Sequence, residues 1–226
     1  MSIKENLKKI KEQIGNHNVK IIAVSKYATY EQTTEAYRLG IRDFGESYVQ
    51  DAIPKLKKLI THNDETSEKK IRWHFIGRLQ NNKVKFVVNI FYLIHSVHSI
   101  ELLNLINKSA SSKGIVQNLL LQVNISQEAS KAGFSPSRLK QDFEKMMTLS
   151  NVNIQGLMTI APKIDDKNKI RSCFTELYNL QEELNKNHLT NLKELSMGMT
   201  NDYVEAIECG STMIRIGKGI FNIKGG

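Results

Sequence analysis

The chain has 226 residues, which is enough for one full-size domain and cramped for two. Its 40% hydrophobic and 24% charged residues are typical of a soluble globular protein, and no run approaches the roughly 20 apolar residues of a membrane-spanning helix. The net charge of +9 raises nucleic-acid or membrane-surface binding as hypotheses. The two cysteines form no CxxC motif and the N-terminus has no apolar signal-peptide core, so we expect a reduced, cytoplasmic protein.

Short apolar runs alternate with amphipathic stretches along the chain. The S-x-x-E pattern of Ser2 and Glu5, followed by one apolar face, predicts an N-terminal helix. Eight strands are predicted, at Val19–Val24, Ile41–Phe44, Ile71–Ile76, Phe91–Ile94, Gln117–Asn124, Ile154–Ile160, Lys193–Ser196 and Met213–Ile216. Helices between them include Glu31–Leu39, Ile100–Ser109, Ser137–Leu149 and Lys169–Leu184. The polar segment Thr61–Lys70 is predicted to be an exposed loop.

Strands that alternate with helices build right-handed βαβ units and therefore a parallel sheet. Eight such units close into a TIM (β/α)8 barrel, and 226 residues is within the range of a compact one. An open doubly wound sheet is the alternative, although it usually stops at about five to seven strands. We therefore predict an α/β protein with a single barrel domain over residues 1–226 and an extra N-terminal helix.

In such a barrel, function lies at the carboxyl ends of the strands. Lys26 follows the first strand, where loss of solvation favours a neutral amine that can attack a carbonyl; alternatively, it merely marks the exit of the strand into solvent. The loops after the seventh and eighth strands, which often bind phosphate, contain Gly198 and Thr200, and Gly217 and Lys218. Lys26 could react with an aldehyde, the two loops could bind a phosphate, and Arg215 lies between them. Together these features suggest pyridoxal phosphate.

Five sequence blocks are similar to one known family. They are IIAVSK at Ile21–Lys26, FGESYVQD at Phe44–Asp51, WHFIGRLQNNKVK at Trp73–Lys85, GLMTIAP at Gly156–Pro162 and LSMGMTNDYVEAIECGSTMIRIGKGIF at Leu195–Phe221. Together they resemble the pyridoxal phosphate homeostasis protein family, whose members share the barrel of the alanine racemase N-terminal domain. The resemblance implies pyridoxal 5'-phosphate (PLP) as cofactor and a role in vitamin B6 homeostasis.

The resemblance also implies roles for individual residues. Lys26 would hold PLP as a Schiff base, and Thr200 would bind the phosphate. Gly217, with Lys218, would add backbone donors, and Arg215 would face the pyridine nitrogen. Further cofactor-binding candidates are Ser196, Met197, Gly198, His74 and Asn124. His74 is alternatively a satisfied core residue, and we assign no catalytic residue and no metal ligand.

Arg215 argues against chemistry that needs a strong electron sink. A guanidinium only donates hydrogen bonds, so it leaves the pyridine nitrogen unprotonated and the ring a poor stabiliser of carbanions. Alanine racemases add a tyrosine base from a C-terminal β-domain, which we do not expect here because the sequence ends five residues after Phe221. We therefore expect a protein that buffers PLP and delivers it to PLP-dependent apoenzymes, without robust catalysis of its own. The alternative is an amino-acid racemase or other PLP enzyme that uses Lys26 and an unrecognised second base, such as His74 or a tyrosine.

Three motifs depart from the family pattern. AVSKTKP reads AVSKYAT here, FGEN reads FGES, and the usual IFG reads IFN, so a second lysine near Lys26 and an amide at Ser47 are absent. Lys131, after the fifth strand, is either a second cationic contact, a transient carrier of the cofactor or, more simply, an exposed lysine.

The basic residues do not form a recognisable nucleic-acid motif. The densest set comprises Lys55, Lys57, Lys58, Lys69, Lys70, Lys83 and Lys85, without interleaved stacking aromatics. We therefore expect no nucleic-acid partner and no membrane partner. We also expect a monomer, because the second domain through which racemases dimerise is not part of this sequence.

Overall fold

The computed structural model describes residues 1–60, 70–128 and 131–222, without the side chains of residues 59 and 60. In these residues eight parallel strands form a closed barrel, in which each strand pairs with the next and β8 pairs with β1. The strands are β1 (Lys20–Val24), β2 (Asp43–Glu46), β3 (Arg72–Phe75), β4 (Leu93–Val97), β5 (Gln117–Gln122), β6 (Val152–Met158), β7 (Glu194–Met199) and β8 (Met213–Ile216). The predicted TIM barrel is confirmed. The predicted loop Thr61–Lys70 lies outside the described residues except for Lys70.

Helices connect the strands and cover the outside of the barrel. They are α1 (Ile3–Ile14), α2 (Tyr30–Arg38), α3 (Val49–Ile60), α4 (Val84–Val87), α5 (Ile100–Ser112), α6 (Pro136–Met147), α7 (Lys167–His188), α8 (Tyr203–Glu208) and α9 (Lys218–Phe221). All eight predicted strands are present, but β2 and β4 begin two residues later than predicted. Ile41 and Phe91 are buried beneath the helices without joining the strand ladders, so their apolar character does not mark the start of a strand.

The N-terminal helix α1 is the predicted extra helix. Its capping box is formed, with the Glu5 N–H donating to Ser2 Oγ (3.2 Å) and the Ser2 N–H donating to Glu5 Oε2 (2.7 Å). The apolar face is buried, and Asn6 Nδ2 donates to the carbonyl of Ile220 at 2.9 Å. The helix therefore packs against α9, next to the loop that follows β8.

Alternation along the strands separates two layers of side chains. Outward residues such as Trp73 and Phe75 join the large core beneath the helices. Inward residues form a small apolar cluster from five strands, comprising Ile22, Leu93, Leu120, Met158 and Met213. Buried polar side chains share the interior with this cluster, and they are Asp43, His74, His95, Ser196 and Arg215. Because buried polar groups cost free energy unless they are paired, these five residues make the inside of the barrel a candidate functional region.

Three further findings concern the described part of the chain. It contains no helix that is long and apolar enough to cross a membrane. Cys173 is buried, Cys209 is half-buried, and both are free thiols. Within the same residues, no cluster of three or more His, Cys, Asp or Glu side chains is placed to hold a metal ion.

Candidate functional site

Lys26 lies at the carboxyl end of the barrel, two residues beyond β1. The preceding Ser25 is held by its N–H, which donates to the carbonyl of Gly45 at 3.0 Å. The Lys26 side chain is half-buried, and its Nζ lies 4.8 Å from the centroid of the Tyr27 ring. Lys26 makes no ion pair with any residue of the described ranges. Its amine is therefore available to a ligand at the mouth of the barrel.

A buried ion pair supports the turn that carries Lys26. Lys55 Nζ donates to the carbonyl of Ser25 at 2.6 Å and to Glu46 Oε1 at 2.9 Å. Ser25 Oγ donates to the same carboxylate oxygen at 2.7 Å. The Glu46 side chain is fully buried and that of Lys55 is 13% exposed. Lys55 is therefore not part of a basic surface, and it anchors the backbone next to Lys26.

The loops after β7 and β8 contact each other beside β1. The Gly219 N–H donates to Thr200 Oγ1 at 3.4 Å, which joins the two loops. A Cβ at Gly217 would lie 3.3 Å from the carbonyl oxygen of Val24, so this glycine lets the β8 loop approach the end of β1. The candidate phosphate-binding residues thus lie on adjacent loops, at the same end of the barrel as Lys26.

Gly198 meets a conformational requirement at the end of β7. Its φ is +91°, and a Cβ there would come 2.6 Å from the Cβ of Ala206. The Met199 N–H donates to Asp202 Oδ1 at 2.5 Å, which holds the following turn. Gly198 therefore permits α8 to pack closely against the strand that leads to Thr200.

Arg215, on β8, is buried inside the barrel against the neighbouring strand β7. Its Nη1 donates to the carbonyl (2.7 Å) and to the Oγ (2.6 Å) of Ser196, and its Nη2 donates to the carbonyl of Thr159 (2.9 Å). Burial lowers the pKa of Arg215 to about 10, against the opposing effect of Asp202, so the guanidinium stays charged at neutral pH. The Nε–H and one Nη2–H make no hydrogen bond to a described residue, which leaves two donors for a ligand.

Buried hydrogen bonds continue from Ser196 across the barrel. Ser196 Oγ lies 2.8 Å from His95 Nδ1 on β4. His95 Nε2 lies 2.9 Å from His74 Nδ1 on β3. Both imidazoles are fully buried. A polar path therefore connects strands on opposite sides of the barrel.

The path ends at a carboxylate near the amino end of the barrel. Asp43 Oδ1 lies 2.9 Å from His74 Nε2, and Arg72 donates to both oxygens of Asp43 at 2.7 and 2.6 Å. Burial by itself raises the pKa of Asp43, but the hydrogen bonds from His74 and Arg72 outweigh burial and hold it at about 2. Burial lowers the pKa of His74 despite the nearby carboxylate, and burial lowers that of His95 still further. At neutral pH the site therefore contains an ionised Asp43 and two neutral histidines.

The other candidate residues occupy different surroundings. The Met197 side chain is fully buried in the outer core, on the opposite side of β7 from Ser196. Among the described residues, His74 is joined to Arg215 through His95 and Ser196. Asn124 follows β5 and donates to the carbonyls of Glu128 (2.9 Å) and Lys131 (3.2 Å). The structure thus joins Ser196 to Arg215 directly and Thr200 to the β8 loop, whereas Asn124 holds a separate loop.

Sequence reasoning missed four of the connecting residues. They are Asp43, Glu46, Lys55 and His95. His95 lies within the apolar run Leu93–Val97, two residues after Leu93. Residues two apart in a strand point to the same face, so this spacing could have identified His95 as an inward polar residue. Lys55 carried no such signal, because a lysine on an amphipathic helix is usually solvated.

A cavity of about 700 Å³ opens near this end of the barrel. Its walls include Tyr48, Arg78, Lys83 and His98. A hydrogen bond with Tyr27, the residue next to Lys26, raises the pKa of Tyr48. A second cavity of about 250 Å³ is lined by Asn124 and Lys131 and shares Arg78 with the first. Neither of these two cavities is lined by Lys26, Thr200 or Gly217, so both lie beside these candidate cofactor residues rather than over them.

Comparisons with known proteins agree with this geometry. A family model described as alanine racemase, N-terminal domain, matches residues 1–224. The chain is 38% identical over 207 residues to the pyridoxal phosphate homeostasis protein of Aquifex aeolicus, covering 92% of this chain and 88% of the relative. It is 39% identical over 204 residues to the protein of that name from Synechocystis, covering 90% and 91%. The solved structure of PipY from Synechococcus elongatus, with PLP bound, matches with a TM-score of 0.88 and 34% identity, covering 97% of this chain and 100% of PipY.

The barrel, with a lysine after β1 and an arginine on β8, places the molecule in the class of alanine-racemase-type barrels. The relatives define the group more closely, since they match across nearly the full length of both chains. The chain belongs to the pyridoxal phosphate homeostasis protein family. The predicted family and barrel type are therefore confirmed.

Proposed function

We propose that this protein binds PLP as a Schiff base on Lys26 and takes part in vitamin B6 homeostasis by storing the cofactor and delivering it to apoenzymes. The observation that supports this most is that Lys26 directly follows β1 and Arg215 lies on the adjacent strand β8, with the loops of Thr200 and Gly217 at the same end of the barrel. The Lys26 amine would condense with the PLP aldehyde and release one water. This bond is reversible, so it limits the free aldehyde without consuming it.

The donors present at the site fit this cofactor. Arg215 is charged, held on one side by Ser196 and Thr159, and retains two N–H donors that suit a pyridine nitrogen. Thr200 offers a hydroxyl beside the Gly219 N–H, which suits a phosphate. Ser196 would contribute by orienting Arg215. Lys218 and Gly217 would add backbone donors, and Gly198 would shape the phosphate loop.

Storage is favoured over turnover because the proposed second bases are poorly placed to act. Both ring nitrogens of His74 are engaged inside the barrel, and burial lowers its pKa. The hydrogen bond with Tyr27 raises the pKa of Tyr48, which disfavours a phenolate at Tyr48. Arg215 leaves the pyridine nitrogen unprotonated, so carbanion formation gains little from the ring. A racemase using Lys26 is the alternative that these features disfavour.

The lysine is tested by mapping the adduct. The protein is mixed with PLP and reduced with borohydride, and the modified residue is identified by mass spectrometry. We expect the modification at Lys26, together with an absorbance band that Lys26→Ala loses. Lys8→Ala, at an exposed position on α1, should keep both. Modification spread over many lysines, or unchanged in Lys26→Ala, would refute the assignment.

Delivery and catalysis are separated by two further measurements. The holoprotein should reactivate a PLP-dependent apoenzyme, and a trap for free PLP should reduce this transfer less than it reduces activation by free PLP. In deuterated water, the holoprotein should not exchange the α-proton of amino acids at enzyme-like rates. Rapid exchange that depends on Lys26 would instead support the racemase.

A further inference from the structure

We propose that Ser196, His95, His74 and Asp43 form a one-directional hydrogen-bond chain that orients the guanidinium of Arg215, so that His95 and His74 are positioning residues for the ligand site. The role toward the cofactor rests on the proposed function, whereas the direction of the chain is a property of the protein alone.

The two ends of the chain determine its direction. Asp43 is ionised and can only accept, so His74 donates through Nε2–H across the 2.9 Å contact. A neutral His74 then accepts at Nδ1. At the other end, Arg215 can only donate, and its Nη1 lies 2.6 Å from Ser196 Oγ. Neither end group can reverse its role.

The middle contacts follow from these ends. Because His74 Nδ1 accepts, His95 donates to it through Nε2–H at 2.9 Å. A neutral His95 then accepts at Nδ1, and the Ser196 hydroxyl donates to it at 2.8 Å. The Ser196 oxygen keeps a lone pair for the Arg215 Nη1–H. Each contact holds one proton, and all protons are donated in the same sense, from Arg215 toward Asp43.

This direction affects the ligand site through Arg215. Ser196 offers its carbonyl and its hydroxyl oxygen to the same Nη1, at 2.7 and 2.6 Å. If His95 could not accept, the Ser196 hydroxyl would lose its acceptor. Its proton would then turn toward the oxygen atoms that accept from Arg215 and would compete with the guanidinium for them. A buried path of this length is costly compared with apolar packing, and the inward cluster containing Leu120 shows that apolar residues fit the same interior. The need to orient Arg215 explains why polar rather than apolar residues occupy these positions.

The direction can be tested without cofactor. In the apoprotein with ¹⁵N-labelled histidine, long-range ¹H–¹⁵N spectra at neutral pH should show His74 and His95 as neutral rings, both protonated at Nε2. A proton on Nδ1 of either ring, or a charged ring, would overturn the proposal. This result does not depend on whether the protein binds PLP.

The effect on the ligand site is tested with three variants. His95→Gln keeps one acceptor and one donor and should retain PLP affinity and the absorption maximum of bound PLP. His95→Leu removes both and should weaken PLP binding about tenfold or more, equivalent to about 1.4 kcal/mol, with a shifted maximum. Leu120→Ala perturbs the same interior outside the chain and should destabilise the fold without either change. Equal loss in Leu120→Ala and His95→Leu would reduce the chain to a structural role. Failure of the wild-type protein to bind PLP would refute the proposed function and leave the tautomer result standing.

Discussion

Neutralising Asp43 should cost stability by an amount that depends on pH. The pKa of this carboxyl falls from 3.8 to about 2 in the folded protein, which corresponds to about 2 kcal/mol of stabilisation. The folded state holds the proton less tightly than the unfolded state does. The stabilisation is therefore complete above the unfolded pKa and is lost as pH falls through the folded one.

The test compares Asp43→Asn with the wild-type protein by urea unfolding. We expect the variant to be less stable by about 2 kcal/mol at pH 7, and the difference to shrink to about half of that at pH 3. Asp165→Asn removes the same charge from an exposed loop position and should leave the free energy of unfolding almost unchanged at both pH values. A difference between wild type and Asp43→Asn that stays constant with pH would refute the reasoning, because a lost packing contact does not titrate.

Two further predictions concern the supports of the site. Gly198→Ala should lower stability by about 2 kcal/mol or more in thermal melts, since its new Cβ would lie 2.6 Å from that of Ala206. Gly114→Ala, where φ is +64° and nothing lies within 4 Å, should cost only the backbone strain of about 1 kcal/mol; equal losses would show that crowding is relieved at Gly198. Lys55→Met should cost about 3 kcal/mol in urea unfolding, because Glu46 is left buried without its cation. Adding Glu46→Gln should recover part of that loss, and no recovery would mean that the charge is not what matters.

Most of the fold was predictable from local patterns. Eight apolar strand runs alternate with helices, and the capping box of Ser2 and Glu5 formed as expected. Local patterns failed at the starts of β2 and β4, where Ile41 and Phe91 are buried in connections rather than in strands. The apolar pattern of a sequence indicates which residues are buried. It does not distinguish a buried residue that is paired in a strand from one that is packed in a loop.

The sequence by itself determined the barrel and the order of its units, and its motifs indicated the family and placed Lys26 and Arg215 at the ends of neighbouring strands. Only the tertiary structure decided which inward side chains meet. Asp43, His74 and His95 lie on the neighbouring strands β2, β3 and β4, whereas His95 meets Ser196 on β7 because barrel closure makes these two strands face each other. Alternation says that each side chain points inward, but the stagger between strands determines the level at which it lies. The hydrogen-bond path to Arg215 is therefore a property of the closed barrel.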